Sequence, residues 1–214
     1  MAQSGGGRGP VIVFDLGGVL IDWNPRHLYR KLFDDEARME WFLAEVCHAA
    51  WNEEQDRGRA FAVAIEEAAA RHPDHRLLIA AYFERWDEML AGPIEDAVAI
   101  LEELKASGYE LHALTNWSAE TFQFARDRFA FLERFESILV SADVGLIKPD
   151  PRIFELLLAR IGRTPAECVY IDDNPKNVAA ATALGLDAIA FEGADRLRAE
   201  LTQRDLLTGR VERP

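Results

Sequence analysis

The sequence predicts an α/β protein with a doubly wound parallel sheet and an all-helical segment inserted after the first strand. From Glu110 onward, short apolar runs alternate with helical patterns, which is typical of a parallel sheet covered on both faces. Between residues 21 and 92 we find helical patterns but no convincing strand. The chain has 214 residues, which suits one substantial domain with a smaller insert.

The predicted strands are short apolar runs, most of which end in polar residues. They are Val11–Asp15, Glu110–Thr115, Ser137–Val140, Cys168–Asp172 and Asp187–Phe191. Helical patterns separate the later runs, so we expect the strands to lie parallel in one sheet.

The predicted helices of the sheet layer carry recognisable start and stop signals. Ile94–Ser107 has apolar residues at helical spacing and stops at Gly108. Pro151–Ile161 and Pro175–Leu184 each have proline near the first turn and glycine just past the end. In the insert, helical patterns cover Pro25–Phe33, Asp35–Cys47, Arg59–Arg71 and Arg76–Leu90. We therefore expect a core domain of residues 1–20 and 93–214 and a helical cap domain of residues 21–92.

Composition narrows the classes of partner. The formal charge of −13 argues against a nucleic-acid partner, and an anionic substrate would need a local cluster of donors or a metal ion. Cys47 and Cys168 lack metal or redox spacing, so we expect free thiols and a cytoplasmic location. No apolar run approaches the ~20 residues that span a bilayer. The start, MAQSGGGRGP, is predicted to be a flexible tail without a signal region.

Charged and polar side chains recur at or just beyond the predicted strand ends. They are Asp15, Thr115 with Asn116, Lys148 in a loop, and Asp172 with Asp173. Each aspartate alone is typical of a turn or a helix cap. Ligands bind at the carboxyl edge of parallel sheets, however, and charges are costly to bury without a partner. Together, these residues predict a ligand site with complementary charges.

These positions also carry a family resemblance. The segments FDLGGVL (residues 14–20), LTN (114–116), Lys148-Pro149 and IDDNPKN (171–177) resemble the four ordered motifs of the haloacid dehalogenase-like hydrolase superfamily. The resemblance covers nearly the whole chain, including the insert after the first motif. It implies a Rossmann-like core with a mobile cap, and a magnesium-dependent phosphatase that works through a phosphoaspartyl intermediate.

The resemblance implies a role for each motif residue. Asp15 is the expected nucleophile and a magnesium ligand, with Asp173 and the carbonyl of Gly17 as further ligands. Lys148 is expected to pair with the phosphoryl group and the nearby carboxylates. The Thr115 hydroxyl and the amides of Asn116 and Leu16–Gly17 are expected to bind phosphate oxygens. Asp172 is expected to orient Lys148 or a metal-bound water, and Asn177 to brace the loop.

One position departs from the family pattern. Phosphatases of this superfamily generally carry a second aspartate two residues after the nucleophile, which protonates the leaving group and later activates water. Here that position is Gly17. Loss of a general acid typically costs about 10²–10⁴-fold in rate. Either a cap residue replaces it, or the leaving group departs unaided, or turnover is slow.

Two alternative functions remain open at this point. A 2-haloacid dehalogenase also lacks the second aspartate, although the pair Asp172-Asp173 is typical of a magnesium site. A non-catalytic module that binds phosphate for regulation is the other alternative. We favour a phosphatase of small phosphorylated metabolites, with sugar phosphates as the preferred class. The sequence leaves open whether the protein is a monomer or a homodimer.

The predicted cap supplies the candidates for substrate specificity. Trp23, Asn24 and Trp51 are the main candidates, and Trp23 with Trp117 could frame an apolar or sugar-like leaving group. Tryptophans at these positions are also typical of packing between cap and core. Glu53, Glu54 and Asp56 are interpreted as a solvated helix face.

Overall fold

The computed structural model describes residues 9–208, and residues 1–8 of the predicted tail lie outside them. Five parallel strands form one sheet: β1 (Val11–Phe14), β4 (Leu111–Thr115), β5 (Ser137–Val140), β6 (Cys168–Asp172) and β7 (Asp187–Ala190). Their order in the sheet is β5-β4-β1-β6-β7. The predicted α/β class with a parallel sheet is therefore confirmed.

Helices cover both faces of this sheet. They are α6 (Glu95–Ala106), α7 (Ala119–Arg128), α8 (Pro151–Ile161), α9 (Pro175–Ala183) and α10 (Ala194–Gln203). Helices α6, α8 and α9 occupy the predicted ranges to within a residue at each end, whereas α7 and α10 were not specified from the sequence. Every residue of β1, β4 and β6 is buried, because helices pack against both sides of these central strands.

The insert contains five helices and, contrary to prediction, two strands. Its helices are α1 (Pro25–Tyr29), α2 (Glu36–Glu45), α3 (Ala49–Asp56), α4 (Phe61–Arg71) and α5 (Arg76–Glu84). Strands β2 (Ile21–Trp23) and β3 (Leu90–Pro93) pair antiparallel where the insert leaves and rejoins the core. The all-helical prediction was wrong here because strands of three and four residues are too short to display an alternating pattern.

Two other helical predictions in the insert need correction. Helix α3 was missed, because the run AAWNEEQD lacks an extended apolar period. The helix predicted to reach Leu90 ends at Glu84, and Trp86–Met89 forms a separate 3-10 turn. The aromatic side chains of Tyr29, Phe61 and Tyr82 fill the interior of the insert and are at most 1% exposed. The division into core and cap domains stays a prediction.

Candidate active site

The register of the central strands brings the predicted site residues to one edge. Phe14 of β1 lies opposite Ala113 of β4 and Ile171 of β6. Asp15 follows Phe14 and Asp172 follows Ile171, so both belong to the carboxyl edge of the sheet, and Thr115 ends β4 at the same edge. The amide of Asp15 donates to the carbonyl of Ile171 at 2.8 Å, which fixes Asp15 beside Asp172.

Lys148 lies between two buried carboxylates at this edge. Its Nζ is 2.9 Å from Asp15 Oδ1 and 2.7 Å from Asp172 Oδ2. It also donates to the carbonyl of Leu114 at 2.9 Å. The side chain is 1% exposed, so one cation compensates two buried acids with little screening by water.

Asn116 fixes the backbone that carries this lysine. Its Oδ1 accepts from the Lys148 amide at 2.8 Å, and its Nδ2 donates to the Lys148 carbonyl at 3.0 Å. Sequence reasoning assigned only the backbone amide of Asn116 a role, so this positioning by the side chain was missed. The sequence gives no periodic signal for it, because the partners lie 32 residues apart.

Asp172 is fully occupied by hydrogen bonds. Beyond Lys148, its oxygens accept from the Tyr170 hydroxyl, from the Asn174 amide at 2.8 Å, and from Asn177 Nδ2 at 3.0 and 3.1 Å. The structure therefore places Asn177 against Asp172, and Asp172 against Lys148. A carboxylate so bound has little capacity left for a metal ion.

Burial and neighbouring charges set the protonation of the cluster. Burial raises the pKa of Asp15, with Lys148 opposing the shift and Asp172 adding to it. Burial favours the neutral amine of Lys148, but the carboxylates of Asp15 and Asp172 outweigh this effect and raise its pKa. Burial, followed by the charge of Asp172, raises the pKa of Asp173. The excess of carboxylates over cations is therefore electrostatically costly.

A divalent cation would relieve this excess negative charge. Carboxylate oxygens of Asp15, Asp172 and Asp173 lie within 4.8 Å of one another, and hard oxygen donors suit magnesium. Asp173 is exposed to the cleft, whereas Asp172 is committed to its hydrogen bonds. The donor set fits a magnesium ion held by Asp15 and Asp173, with Asp172 acting on Lys148.

The two glycines after the nucleophile differ in what they require. Gly18 has a φ of +76°, and a Cβ there would lie 2.3 Å from Asp173 Oδ2. Gly18 therefore makes room for the Asp173 carboxylate. Gly17 has no such constraint, since a Cβ there would meet nothing within 4 Å.

A cleft of about 570 Å³ opens between the insert and the sheet edge. The predicted site residues Asp15, Gly17, Thr115, Asn116, Lys148, Asp173 and Asn177 line it. The amide of Leu16 instead donates to Asp15 Oδ1 at 2.7 Å. Of the specificity candidates, Trp23 and Asn24 line the cleft from the insert side.

A recess of about 70 Å³ adjoins this cleft, and its walls are largely aromatic. Trp23 and Trp86 stack there with ring centroids 5.8 Å apart, and Trp117 lines the same recess. The predicted pairing of Trp23 with Trp117 is thus compatible with the structure, while Trp86 was missed. Trp51 lies elsewhere: it is 3% exposed and packs edge-on against Phe61 and Tyr82.

Asp56 was interpreted from the sequence as part of a solvated face, and that interpretation was wrong. It is the last residue of α3, is only 7% exposed and lines both the cleft and the recess. Burial raises its pKa to about 7. Its neighbours Glu53 and Glu54 are exposed, as expected. In the run NEEQD, Asp56 therefore lies on the same buried face of the helix as Asn52, whereas Glu53 and Glu54 face solvent. The acidic composition of the run gave no sign of this difference.

The site thus has an aspartate just after the first strand, a buried lysine beside it and a pair of acids after β6. The family described as haloacid dehalogenase-like hydrolase matches residues 10–185 of the chain. The protein belongs to this family and is a phosphatase-type hydrolase, as the resemblance of the four motifs predicted.

Two relatives show the range of activities in the family. The sesquiterpene phosphatase astK of Aspergillus oryzae is 30% identical over 180 residues, which cover 81% of this chain and 85% of that protein. The (S)-2-haloacid dehalogenase 4A of Burkholderia cepacia is 31% identical over 104 residues, 49% of this chain and 44% of that protein.

A solved structure shares the fold. The magnesium complex of the HAD family enzyme bt-2542 from Bacteroides thetaiotaomicron has a TM-score of 0.68 at 19% identity, covering 89% of this chain and 98% of that one. None of the helices within residues 9–208 is both long and apolar enough to cross a membrane.

Proposed function

We propose that the protein is a magnesium-dependent phosphatase of small phosphorylated metabolites, with Asp15 as the nucleophile. One observation carries the proposal: Asp15 meets Lys148 at 2.9 Å, and its carboxylate lies within 4.8 Å of Asp173. Phosphoryl transfer depends mainly on positioning and on stabilisation of charge, and this edge supplies both. The longer of the two alignments above, to a phosphatase, supports the same choice.

In the proposed reaction, an Asp15 oxygen attacks phosphorus and the bond to the leaving oxygen breaks. Lys148 neutralises part of the charge on the transferred group while Asp172 holds the lysine in place. The Thr115 hydroxyl and the amides of Asn116 and Gly17 are proposed to bind the equatorial oxygens. Magnesium, held by Asp15, Asp173 and the Gly17 carbonyl, would reduce the repulsion between carboxylate and phosphate. Water then attacks the phosphoaspartate, which releases phosphate and restores Asp15.

The Leu16 amide requires a rearrangement in this scheme. It was predicted to hold a phosphate oxygen, but it donates to Asp15 Oδ1. We propose that Asp15 releases this amide when it attacks, so that the same donor can turn to the transferred group. Since hydrogen bonds at active sites often reach their final geometry only with substrate bound, the observed contact is compatible with that role.

The volume of the cleft and the tryptophans of the recess beside it bear on the choice of leaving group. A volume of about 570 Å³ suits a small metabolite, and the recess beside it presents Trp23, Trp86 and Trp117. Aromatic faces accept both sugar rings and apolar chains. Sugar phosphates are our preferred class, and terpenyl phosphates enter the comparison because astK is named a sesquiterpene phosphatase.

The test is a phosphate-release panel of sugar phosphates, nucleotides, terpenyl phosphates and acyl phosphates, with magnesium or with EDTA. We expect release with magnesium only, and none from Asp15→Asn, because the amide cannot form the phosphoaspartate. Asp195→Asn, an exposed aspartate on α10, serves as the control and should retain activity. Full turnover by Asp15→Asn would contradict the mechanism.

Dehalogenation is the second candidate, supported by glycine at position 17 and by the relative from Burkholderia cepacia. Halide needs no protonation when it leaves, so the missing acid would be unimportant. Release of chloride from a 2-haloacid in EDTA, with no phosphate release from the panel, would favour this function over ours.

A further inference from the structure

The strongest unassigned feature is the acid that the insert turns toward the nucleophile. Asp56 and Gly17 line the same recess, one from the insert and one from the sheet edge. A Cβ on Gly17 would meet no atom within 4 Å, so the space of the family's usual acid is open. Asp56 faces this same space from the opposite side.

The end of α3 is anchored to the catalytic edge. Ser141, which follows β5 and is fully buried, donates its hydroxyl to the carbonyl of Asp56 at 2.6 Å. The same hydroxyl accepts from the Trp117 amide at 2.9 Å. Gly58 sits close to the core as well, since a Cβ there would lie 3.2 Å from the Ala142 carbonyl. Asp56 is therefore held in place by contacts with the core and does not depend on α3 alone.

The environment of Asp56 suits a group that exchanges protons. Its Oδ2 accepts from Asn52 Nδ2 at 3.1 Å, and no cation pairs with it among the described residues. Burial disfavours its charged form, as does Glu53 on the same helix. The Ser118 amide favours the charged form. Across the cleft, Asp15 disfavours the charged form and Lys148 favours it. A pKa of about 7 allows both protonation states near neutral pH.

We infer that Asp56 is the general acid and base of the reaction, in place of the aspartate that Gly17 lacks. The inference rests on the proposed phosphatase function. When Asp15 attacks and the phosphorus–oxygen bond breaks, the electron pair goes to the leaving oxygen, which takes the proton of the Asp56 carboxyl. In the second step the Asp56 carboxylate takes a proton from water as that water attacks phosphorus. The bond from phosphorus to Asp15 breaks, and Asp56 is again protonated.

The test compares leaving groups in the full chain with magnesium. Asp56→Asn should lower kcat/KM for glycerol phosphate by about 10²–10⁴-fold, because an alkoxide departs poorly without a proton. With p-nitrophenyl phosphate the first step needs no acid, so the variant should release a burst of nitrophenolate equal to the enzyme and then turn over slowly. Glu54→Gln, an exposed acid on the same helix, is the matched control and should behave as wild type.

A second variant moves the acid to the family's usual position. Gly17→Asp in the Asp56→Asn background should raise the turnover of glycerol phosphate at least about tenfold above that of Asp56→Asn alone, since the space beside Gly17 is open. Wild-type turnover of glycerol phosphate by Asp56→Asn would overturn the inference, and so would loss of the nitrophenolate burst. Neither result touches the proposed function, which fails only if the wild-type protein releases phosphate from no substrate of the panel.

Discussion

Two buried aspartates, one on each side of the cleft, show how differently the sheet edge and the insert treat charge. Asp172, at the sheet edge, is 0% exposed and accepts hydrogen bonds from Lys148, Tyr170 and Asn177. Asp56, in the insert, is 7% exposed and has the Asn52 amide as its side-chain partner. The first carboxylate has a lysine and several hydrogen-bond donors as partners, whereas no cation among the described residues pairs with the second, and burial raises its pKa.

One cleft can therefore contain both a fixed ion pair, Lys148 with Asp172, and a group that exchanges its proton, Asp56. A preorganised ion pair positions the phosphoryl group, and the charges of the pair stay the same during the cycle. Proton transfer needs the opposite, a group whose two protonation states are close in free energy. The sheet edge meets the first requirement, and the end of α3 meets the second. Each prediction below perturbs one side of this contrast.

The largest effect is expected when the sheet edge loses its cation. Lys148→Met should destabilise the fold by about 3–5 kcal/mol, because Asp15 and Asp172 would remain buried without their partner. Urea unfolding measures the loss, and Lys105→Met, at a half-exposed lysine paired with Glu136, is the control. Equal stability of the two variants would show that the sheet edge does not depend on fixed charge.

The insert should respond in the opposite sense, and with pH. The pKa of Asp56 is raised from 3.8 to about 7, so the folded state binds more protons than the unfolded state between these values. The contribution of Asp56 to the free energy of unfolding is therefore fully present below about pH 4 and is lost as the pH rises through about 7. Asp56→Asn removes this titration. At about 1.4 kcal/mol per pKa unit, the rise of this pKa from 3.8 to about 7 corresponds to roughly 4 kcal/mol, which Asp56→Asn should gain over wild type by about pH 8.

Thermal unfolding of both proteins from about pH 5 to about pH 8 checks this prediction. Because Asp15, Lys148 and Glu53 also act on Asp56, the comparison uses the difference between variant and wild type at each pH. Glu54→Gln corrects for the loss of one acid from the helix. A difference that stays constant with pH would mean that Asp56 does not change its protonation state in this range, and would contradict the prediction.

Sequence reasoning reached the sheet edge far better than the insert, for a physical reason. Strands that end together in a parallel sheet bring Asp15, Thr115 and Asp172 to one edge, so the fold class alone predicts their convergence, and the motif resemblance adds Lys148 from its loop. No such rule orients α3. Whether Asp56 faces solvent or the cleft depends on how the insert packs on the core. One contact that fixes this packing is the hydrogen bond from Ser141 to the Asp56 carbonyl, between residues 85 positions apart. Strands β2 and β3 were missed for a related reason, because only their pairing with each other identifies such short segments as strands.

The two adjacent glycines after Asp15 also differ, because Gly18 lies against Asp173 whereas Gly17 lines the open recess. Gly18→Ala should cost about 1–3 kcal/mol, since its φ is +76° and the new Cβ would overlap the carboxylate of Asp173. It should also weaken magnesium binding, measured by calorimetry, as Asp173 is displaced. Gly17→Ala, which meets only open space, should leave both quantities near wild type. Equal effects of the two alanines would contradict the assignment of Gly18 to the metal site.

The smallest effects are expected from two tryptophans within the insert. Trp51→Phe should lower stability by roughly 1 kcal/mol without changing KM, because the indole packs against Phe61 and Tyr82 and does not itself line the cleft. Trp23→Phe should instead change KM by up to about tenfold, since Trp23 lines both the cleft and the recess. Kinetics with the best substrate of the panel and urea unfolding of each variant distinguish the two outcomes. A change of KM in Trp51→Phe as large as in Trp23→Phe would mean that the interior of the insert, and not its cleft face alone, selects the leaving group.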